Sequence, residues 1–205
     1  MRARLGLLPS SILALVADFT SAYKALSENF LRLVPSGGND FDTVNGALLA
    51  PLLVPRVPGT PGQSAAQDHF VGFFRTELPR WELQWQNSTA RSQGRDVPVA
   101  NLAFRREPPW TKPGQANLLT LAAHYDTRAA AAGSGGAADS AVSCALLMHV
   151  ARGLDRYVQQ MYDEMQALGE GGSVAMDMGV QVVFLDGKEA LGGRPGEQAA
   201  LAGSR

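Results

Sequence analysis

Two short apolar runs, residues 117–123 (Asn-Leu-Leu-Thr-Leu-Ala-Ala) and 179–185 (Gly-Val-Gln-Val-Val-Phe-Leu), flank the most regular helical pattern in the chain, residues 140–158. Runs that are apolar throughout, instead of alternating, suit strands covered on both faces, and a helix between two such strands joins them in parallel. The pattern therefore predicts a β-α-β unit with neighbouring or near-neighbouring parallel strands, hence an α/β fold. The apolar face of the connecting helix reads as Val142, Ala145, Leu146, His149, Val150 and Leu154, the spacing of one helical stripe. Upstream, residues 63–78 carry Ala66, Phe70, Phe73 and Phe74 at helical spacing before Pro79 stops the run. Residues 23–33 predict another helix, with Leu26, Phe30 and Leu33. Residues 81–86 and 97–104 read as strands, and Pro58-Gly59-Thr60-Pro61-Gly62 as a turn.

Of the 205 residues, 45% are hydrophobic and 18% charged, enough apolar content for a core and too much for a wholly disordered chain. The formal net charge of −1 provides no broad basic field for nucleic acid. Cys144 is the single cysteine, which excludes an internal disulfide framework and a cysteine-based zinc knuckle. The three histidines are His69, His124 and His149, so a metal site here has to lean on carboxylates.

The ends carry their own signals. Met-Arg-Ala-Arg leads into an apolar stretch, residues 5–17, with small residues at Thr20 and Ala22. This fits a secretory signal peptide over residues 1–22, cleaved after Ala22; a short N-terminal helix is the other reading, and the run is too short to span a bilayer as a helix. The sequon Asn87-Ser88-Thr89 agrees with secretion. Residues 192–196 read as a loop and residues 197–202 barely begin a helix, so the fold is expected to be C-terminally incomplete.

Polar residues gather where the two apolar runs end. In open α/β sheets, sites form beyond the carboxyl ends of parallel strands. The first run leads into His124-Tyr125-Asp126, the second into Asp186-Gly187-Lys188-Glu189, and Asp139 opens the helix between them. One imidazole and several carboxylates on one rim make a zinc constellation chemically reasonable. Each residue also has an ordinary reading: Asp139 as a helix N-cap, Asp186-Gly187 as a turn, His149 as a core histidine, the tryptophans as packing. Gly133-Ser134-Gly135-Gly136-Ala137-Ala138 matches a dinucleotide fingerprint in form, but it neither follows a strand directly nor opens the helix. Gly171-Gly172-Ser173-Val174-Ala175 has no strand leading into it, as a nucleophile elbow requires.

Four segments occur in a telling order: residues 53–62 (Leu-Val-Pro-Arg-Val-Pro-Gly-Thr-Pro-Gly), Ala123-His124-Tyr125-Asp126, residues 138–145 (Ala-Asp-Ser-Ala-Val-Ser-Cys-Ala) and residues 184–190 (Phe-Leu-Asp-Gly-Lys-Glu-Ala). Over roughly residues 23–191 the chain resembles the glutaminyl-peptide cyclotransferases, particularly secreted fungal-type members, relatives of the zinc aminopeptidases. The resemblance implies a three-layer α/β architecture, a mostly parallel mixed sheet flanked by helices, with residues 23–205 as the N-terminal part of such a domain. It implies Zn2+ as cofactor, with Asp139 and Glu189 as metal ligands. His124 and Asp126 match the family's His-x-Asp pair, where the histidine binds metal in two-zinc aminopeptidases and is a near neighbour in one-zinc cyclases. The implied partners are peptides or proteins with N-terminal Gln, with no nucleic acid and no membrane after signal cleavage. The implied reaction closes N-terminal Gln into pyroglutamate with loss of ammonia.

Against that pattern the chain departs at Lys188, the family position of the glutamate that shuttles the proton. A protonated lysine has donors and no acceptor, and loss of general acid–base catalysis typically costs about 10²–10⁴ in rate. The family's remaining zinc-binding histidine and a further catalytic aspartate are expected well beyond residue 205. An impaired cyclotransferase, a secreted zinc peptide hydrolase and a non-catalytic or truncated relative therefore stay open. Where animal cyclases carry a cysteine that pairs with the counterpart of Cys144, this chain has Ala123, so Cys144 is expected to be a buried free thiol.

Overall fold

A computed structural model describes residues 36–92, 94–128, 138–169 and 177–189, with all their side chains except those of Ser92, Arg95 and Asp139. Apart from Ser36 these residues belong to the compact unit Gly37–Arg205. The expected signal segment, the helix at residues 23–33, the glycine-rich stretch before Ala138, residues 171–175 and the stretch after Glu189 lie outside the described residues.

Helix α1 spans Pro61–Glu77. Proline at the first helical position suits the missing N–H and fixed φ, and Thr60 precedes it in an extended conformation. A Cβ on Gly62 would lie 2.1 Å from the Pro55 carbonyl oxygen, so only glycine lets the proline-rich segment fold back onto the first turn. The buried positions Gln63, Ala66, Phe70, Phe73 and Phe74 form one stripe. Strands β1 (Glu82–Ser92) and β2 (Arg95–Arg106) form an antiparallel hairpin in register from Glu82↔Arg105 to Ser92↔Arg95. Both strands run well past the apolar segments that announced them, because the backbone ladder continues through the polar residues Asn87–Thr89 irrespective of side-chain type.

Strand β3 (Asn117–His124), helix α2 (Ala138–Ala167) and strand β4 (Met178–Leu185) form the β-α-β unit. Among the described residues the sheet order is β1-β2-β4-β3. β4 lies between β2, to which it is antiparallel, and β3, to which it is parallel. The expected mixed sheet flanked by helices is present, and the two strands of the β-α-β unit are direct neighbours.

The buried face of α2 differs from the stripe read in the sequence. Ala141, Cys144, Ala145, Met148, Ala151, Val158 and Tyr162 face the core, whereas Val142 and Leu146 are 51% and 49% exposed. Small side chains let the helix backbone approach the sheet closely, so the stripe of alanines and Cys144 is the buried one. His149 is half-buried, edge-on to Phe41 at 5.6 Å between ring centroids. The core is aromatic where α1 meets the sheet: Phe70 stacks on Phe184 at 3.9 Å and Phe74 on Phe104 at 3.8 Å. Trp81 is buried beside Phe74, Trp110 packs against Tyr162, and Trp85 is exposed. Among the described residues no helix is long and apolar enough to cross a membrane.

Candidate functional site

The parallel pairing of β3 with β4 sets His124 opposite Leu185, and the chain beyond each strand turns onto the same rim. The Tyr125 N–H still donates to the Leu185 carbonyl at 2.8 Å, which extends the ladder by one residue. Asp126 follows with its side chain fully buried; its Oδ2 accepts the Glu189 backbone N–H at 2.7 Å, and its Oδ1 lies 3.4 Å from His124 Nδ1. The structure thus brings His124, Asp126 and Glu189 together across the two strand ends, with Lys188 beside them. Helix α2 starts at Ala138 and includes Asp139 in its first turn; the Asp139 side chain lies outside what is described.

Lys188 is exposed, with its Nζ 4.0 Å from Glu189 Oε1. Arg128 Nε donates to Glu189 Oε2 at 2.6 Å. Among the described residues no group of three or more His, Cys, Asp or Glu side chains is placed to hold a metal ion. Glu189 could lend one oxygen, but two cations already attend it, and His124 turns Nδ1 toward Asp126. With those cations in place the described donors do not fit a zinc ion, which takes four ligands in most sites; the side chain of Asp139 is not among the described ones.

Several residues that organise this rim were not singled out from the sequence. Arg56 is fully buried. Its guanidinium donates to the Tyr125 carbonyl at 2.6 Å, the Val54 carbonyl at 2.9 Å, Ser140 Oγ at 2.8 Å and the Leu52 carbonyl. One side chain therefore ties the proline-rich segment to the end of β3 and to the first turn of α2. Burial lowers its pKa, and the neighbouring Cys144 and Asp126 oppose that shift. Its backbone is also fastened, the N–H to Thr127 Oγ1 at 2.8 Å and the carbonyl to the Thr127 N–H at 3.1 Å.

Asp186 is more than a turn residue. Its buried Oδ2 accepts Gln63 Nε2 at 2.6 Å and the Ala100 N–H at 2.9 Å, and Oδ1 accepts the Gly187 N–H at 2.8 Å. Gly187 sits at φ +83°, a conformation that favours glycine and turns the chain toward Lys188 and Glu189. Tyr125 Oη donates to the Ala100 carbonyl at 2.8 Å and accepts Gln67 Nε2 at 2.7 Å. A polar layer from α1 thus supports the rim from below. Cys144 is a buried free thiol, as expected; its Sγ donates to the His124 carbonyl at 3.3 Å, and burial pushes its pKa up to about 12, so it stays protonated at neutral pH.

Burial, with the charge of Asp126 adding to it, raises the Asp186 pKa from 3.8 to about 6, against the hydrogen bonds it accepts. A carboxyl raised in the folded state contributes stability that is present below its unfolded pKa and lost as pH rises through its folded one. Unfolding free energy is expected to fall by about 2 kcal/mol between pH 4 and pH 7 from this group. Urea unfolding across that range, compared with Asp186→Asn, checks it: the variant curve should be flatter, and parallel curves would show that Asp186 is not the group responsible.

Residues 108–205 match peptidase family M28. The chain is similar to the glutaminyl-peptide cyclotransferase-like protein of Bos taurus, 38% identical over 160 residues, which cover 77% of this chain and 38% of that protein. The curated relatives it matches are spanned over less than half of their length. Among solved structures, the glutaminyl cyclase of Macrostomum lignano matches with a TM-score of 0.55 at 23% identity, over 85% of this chain and 46% of that one. A leucine aminopeptidase precursor from Bacteroides thetaiotaomicron matches with a TM-score of 0.53 at 19% identity, over 82% and 53%. At these identities the two structures establish the fold.

Proposed function

Because the chain is a relative of the glutaminyl-peptide cyclotransferases and carries the signature of peptidase family M28, we propose that it is a cyclotransferase-type protein whose rim receives peptides or proteins with N-terminal Gln and whose turnover is impaired by Lys188. The observation that carries the reading is the side chain before Glu189: an exposed ammonium, 4.0 Å from the Glu189 carboxylate, at the place where the related enzymes are expected to hold a proton-accepting glutamate.

Cyclisation makes a bond between the substrate's own α-amine and its side-chain amide carbon, breaks the amide C–N bond and expels ammonia. A proton has to leave the amine and reach the departing nitrogen. Lys188 in its charged form has three donors and no acceptor, so it cannot take that proton. The zinc ion implied by the family resemblance does not fit the described donors, and no step is assigned to it. Passage through the secretory pathway is part of the proposal, supported by the basic, apolar and small-residue succession of residues 1–22 and by the exposed sequon residue Asn87 on β1.

The test is ammonia release from a Gln-initiated peptide, with free amino acids measured in parallel. Negligible ammonia release is expected while Lys188 is in place, and robust release would overturn the impairment. Liberation of the N-terminal residue would instead favour a peptide hydrolase, the second reading, which the aminopeptidase-like fold supports.

A further inference from the structure

We infer that the rim is neutralised from within: Arg128, assisted by Lys188, holds the Glu189 carboxylate where a divalent cation would otherwise sit, and the chain takes up no zinc there. The inference rests on contacts between described side chains and not on the cyclisation reading, so it stands or falls separately from that reading.

An isolated surface ion pair is a weak argument, since long side chains rarely hold one geometry. Here both partners spring from fastened backbone. The Glu189 N–H is held at 2.7 Å by the fully buried Asp126 carboxylate. Arg128 follows Thr127, whose N–H donates to the Arg56 carbonyl at 3.1 Å and whose Oγ1 accepts the Arg56 N–H at 2.8 Å. Arg56 is itself locked by its buried guanidinium bonds. The Glu189 side chain is only 17% exposed, while those of Arg128 and Lys188 are 70% and 56% exposed. The two cations are thus more exposed than the anion they attend.

Zinc binds a carboxylate oxygen at about 2.0–2.2 Å. Arg128 Nε is 2.6 Å from Oε2, so an ion on that oxygen would have to share it with the guanidinium and lie against its positive charge. On the other oxygen, Oε1, it would meet the Lys188 ammonium 4.0 Å away. A dication beside two monocations is repelled by both. Placing lysine and arginine on either side of one carboxylate supplies the compensating charge that a metal would supply, from the chain's own side chains.

The experiment is equilibrium dialysis of the untagged 205-residue protein against micromolar zinc chloride, with bound zinc counted by atomic absorption. The readout is the zinc that depends on Glu189, taken as the difference between each protein and its Glu189→Gln counterpart. No Glu189-dependent zinc is expected for the unaltered protein. The double variant Arg128→Gln/Lys188→Gln, changed only at exposed side chains, is expected to gain Glu189-dependent zinc affinity by about tenfold or more. Thermal unfolding of each variant verifies that it is folded. Stoichiometric Glu189-dependent zinc on the unaltered protein would overturn the inference, and so would the absence of any gain in the double variant, since the two cations would then not be what excludes the ion.

Discussion

Phe184→Ala is expected to destabilise the domain by about 3–5 kcal/mol, the range for truncating a buried aromatic in a core that collapses incompletely. Phe184 is fully buried near the end of β4, stacked on Phe70 and edge-on to both Phe74 and Phe104. Those partners come from α1 and β2, so the ring joins helix to sheet where α1, β2 and β4 meet. Aromatic pairs in these arrangements contribute beyond the area they bury. Urea unfolding of the purified protein measures the effect. A loss below about 1 kcal/mol would mean that the cluster repacks freely and is not the specific core described here.

Arg56→Met should cost as much by a different route. Removing one member of a buried charged constellation typically costs about 3–5 kcal/mol, because the groups left behind keep their desolvation penalty. Here the carbonyls of Leu52, Val54 and Tyr125 and the Ser140 hydroxyl would all lose a charged donor, and the buried Asp126 would lose its balancing cation. At this chain size such a loss lowers the melting temperature by roughly 10 °C. Arg56→Lys should recover less than half of it, since a compact ammonium cannot address four acceptors arranged around a planar fork. Full recovery by lysine would show that charge alone, without geometry, is what the site requires.

The β-α-β unit was legible because its two apolar runs have only one economical arrangement, and the strand-end rule then placed His124, Asp126 and Glu189 on a common rim. The helix boundaries were less so: α1 opens at Pro61 and α2 runs to Ala167, each beyond the periodic segment that revealed it. The buried face of α2 was misread because Val142 and Leu146 outweigh alanine on any hydrophobicity scale, whereas close helix–sheet approach selects small residues. The residues that organise the rim were hardest to see. Arg56 and Ser140 are 84 positions apart, and Gln63 and Asp186 are 123 apart. No local period encodes such a meeting. The available hint was chemical: a lone cation within the proline-rich stretch before α1, where a buried charge needs a purpose.

The interior place of β4 governs when the rim comes into being. Among the described strands it is the last in the chain, yet it is the one that links the β1–β2 hairpin to β3. Before residues 178–185 are made, no described strand is available to bridge the hairpin to β3. Only when β4 emerges and slots between them do distant segments pair, a late, long-range step of the kind that slows folding. Asp186 and Glu189 follow within four residues of the end of β4, so their share of the polar edge belongs to the same closing movement as the hydrophobic interior.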